Sequence, residues 1–397
     1  MKPFPARQNI VKNQHYIPEG LLCNFAKSDG KLFEILLDAS GKKIYATNPG
    51  NSMCEKFTYE HKFLEKNCLE KYFARLDGSI VPDIKKLIAL IEQYKAGKIE
   101  WKQVKESVER LLFIFVTFYY RSGALLQEFG SFHREERVPL LTRKIFNFDY
   151  LQRLAGTLRD FYKFAIIESD GDFLLSDQFV STASIKLKSR FFEISDRHIG
   201  LRDTLVLVPI SSRFYVAYWH ATQPFFIKEN QLQMLTDAEV RLINGAIINN
   251  SYKKCVAQKK ERIEEVVDEY KWASPTQTFA GGNPEGFVMG AIKKKEVFLF
   301  EEDRKAFGLL ESMNIRLYKK LGRNDQCACK SGKKFKHCHQ NAYEKIKVVV
   351  QGFGKSDGQA AQEYIIPEIR TVELPVYSWS KYSPPKSDGQ NDIYRVK

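Results

Sequence analysis

Four residues near the end of the chain have the types and the spacing of a metal site. Cys327 and Cys329 form a Cys-x-Cys pair, and Cys338 is followed at once by His339. Three soft thiolates and one imidazole make the closed tetrahedral set that structural zinc takes, with no position left for a reacting water. Between the pairs, Ser331-Gly332 reverses the chain and Lys333-Lys-Phe-Lys336 brings Cys338 and His339 back to the first two ligands. His337 is an alternative fourth ligand, although its side chain falls on the other side of Cys338; His339 is the expected one. The remaining cysteines are scattered singly, a pattern of reducing compartments that argues against a disulfide framework.

A second set of chemistry-bearing residues lies upstream. His15, Arg121, Asp177 and Asn244 are the polar residues that a mixed fold most easily gathers. A histidine, an arginine and a carboxylate suit attack on a phosphate: His15 as general acid or base, Arg121 on developing charge, Asp177 orienting the imidazole or holding a metal. Each also has a plain structural reading. His15 can bond a backbone carbonyl, Arg121 can cap its helix or pair with Asp77, and Asp177 can cap a turn. Phosphate-cradling Gly-rich loops, nucleophile elbows and His-Glu-x-x-His helices are not found in the sequence.

The elements that must position these residues follow from periodicity. Pro18 opens a short helix that buries Leu21, Leu22 and Phe25, and Lys31–Leu37 pairs with Gly41–Thr47 as a hairpin. Phe63–Lys86 and Trp101–Phe129 read as helices, with the block Ile84–Tyr94 continuing or following the first. Phe173–Val180 reads as a strand ending in a turn, and Leu205–Ile210 with Arg213–Tyr218 as a strand pair in a sheet core. Thr236-Asp-Ala-Glu239 is a capping box for a helix through Cys255, and Glu301–Lys320 is a helix leading to the cysteines.

Gly322-Arg-Asn-Asp-Gln-Cys-Ala-Cys-Lys-Ser-Gly-Lys-Lys-Phe-Lys-His-Cys-His339 resembles the SEC-C zinc module, named for its place at the C-terminus of the SecA translocation ATPase. Gln326, Ala328 and Lys330 stand where that family has Pro, Pro and Gly, and none of them is a ligand. The resemblance implies a metal-dependent folding unit, worth roughly 10–16 kcal/mol in small zinc peptides, that recruits a partner. His15-Tyr-Ile-Pro18, Asn24-Phe25, the hairpin after them and the later motifs are similar to the bacterial family catalogued as domain of unknown function 4238. In that pattern Asp77 takes the place of a Glu, Arg121 matches a common Arg, and Ser176-Asp177-Gln178-Phe179 replaces Ser-Asp-Asn-Pro.

The chain has 397 residues and a net charge of +14, which favours polyanionic partners. Around the cysteines Arg316, Lys319, Lys320, Arg323, Lys330, Lys333, Lys334 and Lys336 face a single acid, Asp325. No apolar run is long enough to span a bilayer, and the start lacks a secretory h-region, so the expected location is cytoplasmic. The expected class is α+β: a mostly helical N-terminal domain with a small antiparallel sheet, then a C-terminal zinc knuckle. The expected divisions are an arm at 1–12, the domain at 13–260, a linker and helix at 261–320, the knuckle at 321–345 and a mostly disordered tail at 346–397. Two functions from different classes fit this layout. One is a nucleic-acid-directed effector, such as a nuclease of phage defence or growth arrest. The other is a non-catalytic adaptor docking on the ribosome, nucleic acid or secretion partners. The oligomeric state is not legible in the sequence.

Overall fold

Apolar residues three and four apart place two long helices side by side. The computed structural model describes residues 10–38, 41–62, 64–122, 137–187, 198–271, 276–279, 289–292, 296–311, 315–351 and 377–378. The expected arm before residue 10, most of the expected tail beyond 351 and most of the loop at 274–286 lie outside them.

The chain enters through β1 (Asn13–His15), α1 (Glu19–Leu22), the hairpin β2 (Leu32–Asp38) and β3 (Gly41–Thr47), and β4 (Cys54–Lys56). Helix α2 (Cys68–Lys95) buries Leu69, Phe73, Ile80, Ile84, Leu87 and Ile91 along one stripe. It starts five residues later than the periodicity suggests and runs straight through Pro82, whose missing N–H leaves the Gly78 carbonyl without its helical donor. Gly97, with φ at 67°, terminates it. Helix α3 (Trp101–Arg121) opens on a reciprocal capping box between Glu100 and Gln103, and its last seven residues are all buried. The expected extension to Phe129 lies outside the described residues beyond 122.

After α4 (Arg137–Ile145) and α5 (Phe148–Phe161) come β5 (Lys163–Glu168), β6 (Leu175–Ser176), β7 (Ser181–Ser184), β8 (Thr204–Pro209), β9 (Phe214–Trp219) and β10 (Leu232–Met234). One sheet has the order β10-β5-β9-β8-β7. It is antiparallel except where β10 runs parallel to β5. Every residue of β8 and β9 is buried, as their β-branched and aromatic content requires. Helix α6 (Asp237–Asn250) begins at the expected capping box of Thr236 and Glu239. It stops five residues short of Cys255, because β11 (Lys254–Ala257) inserts between β2 and β6 in a second sheet of order β3-β2-β11-β6. There Cys255 and Val256 are fully buried, and pairing on both sides overrides helix propensity. The α+β class holds, and the sheet component is larger than the sequence suggests.

Two asparagines of α6 act as side-chain substitutes for strand partners. Asn244 accepts from Leu174 N at 3.0 Å and donates to Asp172 O at 2.8 Å. Asn250 does the same to both backbone groups of Thr182, at 3.0 and 2.9 Å. Two residues further along β7, Ser184 donates to Val297 O at 2.7 Å and accepts from Leu299 N at 2.9 Å.

Short α7 (Lys260–Glu264) precedes the pair β12 (Thr276–Phe279) and β13 (Met289–Ile292), which β14 (Tyr377–Ser378) joins from the far end of the chain. Helices α8 (Glu301–Glu311), α9 (Ile315–Tyr318) and α10 (Gln340–Gln351) surround the cysteine hairpin. They share a small core of Ala306, Phe307, Leu309, Tyr318, Phe335, Ala342, Tyr343 and Ile346, which Leu187, three residues after β7, also joins. Among the described residues no helix is long and apolar enough to cross a membrane.

Candidate metal centre

The hairpin is built by main-chain bonds and one side-chain acceptor, independently of any ion. Asp325 Oδ2 accepts from Gly322 N at 2.6 Å and tightens the first turn. Cys327 N donates to Lys333 O at 2.9 Å and Phe335 N to Asp325 O at 2.8 Å, which closes the loop between the two ligand pairs. At its tip Lys330 and Gly332 both adopt left-handed backbone, with φ at 60° and 72°. Phe335 then turns inward onto Tyr318 and Tyr343, with ring centroids 5.9 and 6.0 Å away, and anchors the second ligand pair to α9 and α10.

The four ligand atoms of Cys327, Cys329, Cys338 and His339 all lie within 4.8 Å of one another. His339 Nδ1 stands 3.3 Å from the Cys327 sulfur and 3.1 Å from that of Cys338, and the sulfurs of Cys329 and Cys338 are 3.5 Å apart. A tetrahedron with bonds of about 2.0–2.3 Å separates its ligand atoms by roughly 3.5–3.8 Å, so these three separations would open by a few tenths of an ångström around an ion and no pair, all being within 4.8 Å, is too far apart to share one. Among the described residues this is the one group of three or more such side chains close enough to share a metal. The histidine in this cluster is His339, and exposed His337 stays outside it.

Sequence reasoning missed two supports. The Ser331 hydroxyl lies 3.1 Å from the Cys329 sulfur and 3.3 Å from that of Cys338, within reach of two thiolates at once. The Tyr318 ring sits 5.6 Å from the His339 ring and walls off one side. Burial raises the Cys327 thiol, and the neighbouring thiols raise it further. Cys329 shifts down although burial opposes it, because Ser331 donors favour its thiolate.

The upstream residues separate into two places. Arg121 is 1% exposed, and its guanidinium lies over the Phe73 ring at 4.3 Å. It grips Asp77 with both terminal nitrogens and donates to the His15 carbonyl at 2.7 Å. Burial disfavours its charge, but Asp77 and Tyr59 hold the guanidinium above its ordinary value. His15 is therefore hydrogen-bonded to Arg121 through its backbone carbonyl, and its imidazole feels the Arg121 and Asp77 charges only through space. Burial lowers the imidazole pKa against a bond to the Pro49 backbone, and Nε2 is buried with no partner among the described residues. Glu70, one turn before Phe73 on α2, has its carboxyl raised by burial and a buried Oε2 in the same condition. Asp177 belongs elsewhere: its carboxylate accepts from Tyr252 N, Lys253 N and Lys254 N at 2.8, 2.8 and 3.0 Å. Among the described residues no hydrogen bond joins it to His15 or Arg121, and Asn244 is committed to the two backbone groups described above.

The family model for a protein of unknown function, DUF4238, matches residues 13–261, well over half of the chain. The chain belongs to the DUF4238 family. The SEC-C motif matches residues 323–341, which contain all four ligands. No curated protein and no solved structure matches the chain.

The resemblance patterns now acquire physical content. In the DUF4238 domain Arg121 finds its carboxylate on α2 at Asp77, so the shorter acid still reaches the guanidinium. Gln178, in place of the pattern's Asn, donates to Tyr119 O at 3.2 Å and to Ser122 Oγ at 3.1 Å, holding the end of α3. Phe179, in place of its Pro, has φ at 63°, which a proline ring cannot adopt, and it packs edge-on to Phe118. This turn is therefore of a different type from one that a proline would make, and Asp177 and Gln178 clamp it on both sides. In the SEC-C hairpin Lys330 occupies the left-handed position that the pattern gives to glycine.

Proposed function

We propose that this DUF4238 protein is a zinc-stabilised nucleic-acid-binding protein of the bacterial cytoplasm, with the SEC-C knuckle as its contact surface. The supporting observation is the charge around the centre. Eight cations stand against one acid from Arg316 to His339, and none of the eight has an ion-pair partner among the described residues. Seven of them are exposed and Lys336 is half-buried. Three thiolates and an imidazole select zinc among the common divalent ions, and a closed set suits a structural role. The ion fixes the hairpin, the hairpin holds the cations at the surface, and the cations attract a polyanion.

A second reading, a nuclease-type defence or growth-arrest effector, draws on the unpartnered Nε2 of His15. In it His15 serves as the base and Arg121 positions it through its carbonyl, while Asp177 stays committed to the amides of Tyr252, Lys253 and Lys254 and takes no direct part. In a third, the same knuckle docks on the ribosome or on an acidic or secretion partner, without catalysis.

The deciding experiment measures metal content of wild type and Cys338→Ser together with nucleic acid bound by each. One zinc per chain, lost in the variant with the bound nucleic acid, is the expected result. Zinc lost while nucleic-acid binding persists would move the contact surface off the knuckle. His15→Ala tests the second reading: nucleolytic activity or growth arrest that survives it removes His15 as a base.

A further inference from the structure

Nucleic-acid surfaces divide by what they offer the bases. Proteins that hold single strands present aromatic rings on which unstacked bases lie, whereas a duplex hides its base faces and offers phosphates. The knuckle carries three aromatic side chains, and all are turned inward. Tyr318, Phe335 and Tyr343 are 4%, 3% and 6% exposed and pack against one another beside the ligands. Its surface is made instead of long cations: Lys319, Lys320, Lys330, Lys333 and Lys334 with Arg316 and Arg323 are exposed. Lysine dominates, and an ammonium is a flexible point charge that suits phosphates better than the fixed two-pronged contacts that read base edges. Exposed phenylalanines do occur, at positions 57, 148, 161 and 225, all of them in the DUF4238 domain.

From this arrangement we infer that the SEC-C knuckle binds the phosphate backbone of double-helical nucleic acid, without sequence preference and in preference to single strands. The inference rests on the nucleic-acid reading above and specifies its substrate. Binding is driven by counterion release, so its logarithm falls linearly with the logarithm of salt concentration. If all eight cations engage, the slope is bounded at about −7, from about −0.9 per phosphate contact.

The test uses the full zinc-loaded chain and fluorescently labelled probes of equal length: a duplex DNA, a duplex RNA, an oligo(dT) single strand and a poly-glutamate. Both duplexes are expected to bind at least about tenfold more tightly than oligo(dT), and to lose on the order of a thousandfold in affinity between about 50 and 200 mM salt. Lys333→Glu with Lys334→Glu touches no ligand, so it should leave metal content unchanged and flatten the slope by about 2. Oligo(dT) binding as tightly as the duplexes, or a slope unaffected by the double change, would overturn the duplex inference and leave the nucleic-acid reading standing. Poly-glutamate binding with none of the nucleic acids would overturn both. Preference between the two duplexes separates an RNA helix from DNA as the natural source of the phosphates.

Discussion

At the hairpin tip two residues on either side of Ser331 meet the same backbone requirement differently. Lys330 and Gly332 both have positive φ, and a Cβ at Gly332 would meet nothing within 4 Å, so conformation alone decides the cost there. Lys330→Gly should stabilise the metal-loaded chain by roughly 1 kcal/mol, and Gly332→Ala should destabilise it by a similar amount. Thermal midpoints of the two variants check this; a Lys330→Gly midpoint at or below wild type would show that Lys330 is not strained. Asp177 makes a pH prediction. Burial pushes its carboxyl up to about 6 even though three backbone N–H groups favour the charge. The unfolded chain titrates near 4, so the folded state holds its proton more tightly. The associated stability is fully present below about pH 4 and is lost as pH rises through about 6, on the order of 3 kcal/mol in all. Urea unfolding of wild type and Asp177→Asn across that window isolates it, because the difference cancels the metal centre's own response to acid. An identical slope in both chains would show that the three donors cancel burial, and a difference of opposite sign that they outweigh it.

At the scale of elements, Arg121 joins α2, α3 and β1 at one point, and this was only partly legible in the chain. Its position at the end of an apolar helix left capping, pairing and catalysis open, and Asp77 could be named as a partner. What periodicity could not supply was the third tie, to the carbonyl of His15, because a backbone acceptor leaves no trace in residue type. Arg121→Ala should cost about 3–5 kcal/mol, since it leaves a buried carbonyl and a carboxylate without their donor. Melting followed by circular dichroism checks it, and a variant as stable as wild type would free Arg121 for a role other than scaffolding. Helix ends show the same limit. Thr236 and Glu239 marked the start of α6 because capping is local chemistry, whereas its end was misread by five residues because β11 is dictated by strands far away in sequence. The cluster of Cys327, Cys329, Cys338 and His339 was legible, since Cys-x-Cys and Cys-His carry their chemistry in residue type and short spacing. Ser331 and Tyr318 were not, because a hydroxyl or a ring near a thiolate is common and acquires meaning only once the hairpin is closed.

At the scale of the molecule the described residues form two cores, one mainly through the DUF4238 domain with Val297 and Leu299, and one around the SEC-C hairpin with Leu187 of the domain. Only the second includes ligand residues, so calorimetry with and without chelator should show one transition falling while the other stays in place. A single transition that shifts as a whole would mean that the Ser184 bonds to Val297 and Leu299 couple the cores fully. Those bonds have another consequence, for colloidal behaviour. β7 is the outermost strand of its sheet, and an open strand edge is a template on which a second molecule can extend the sheet. Here Asn250 occupies the outer groups of Thr182 and the segment before α8 occupies those of Ser184, so no length of the edge is free to recruit a neighbour at these two residues. A chain cut before residue 296 would bare Ser184, and sedimentation should find it self-associating with rising concentration while the intact chain does not. The segment that leads to the knuckle thus doubles as a guard against aggregation, a duty that has nothing to do with what the knuckle binds.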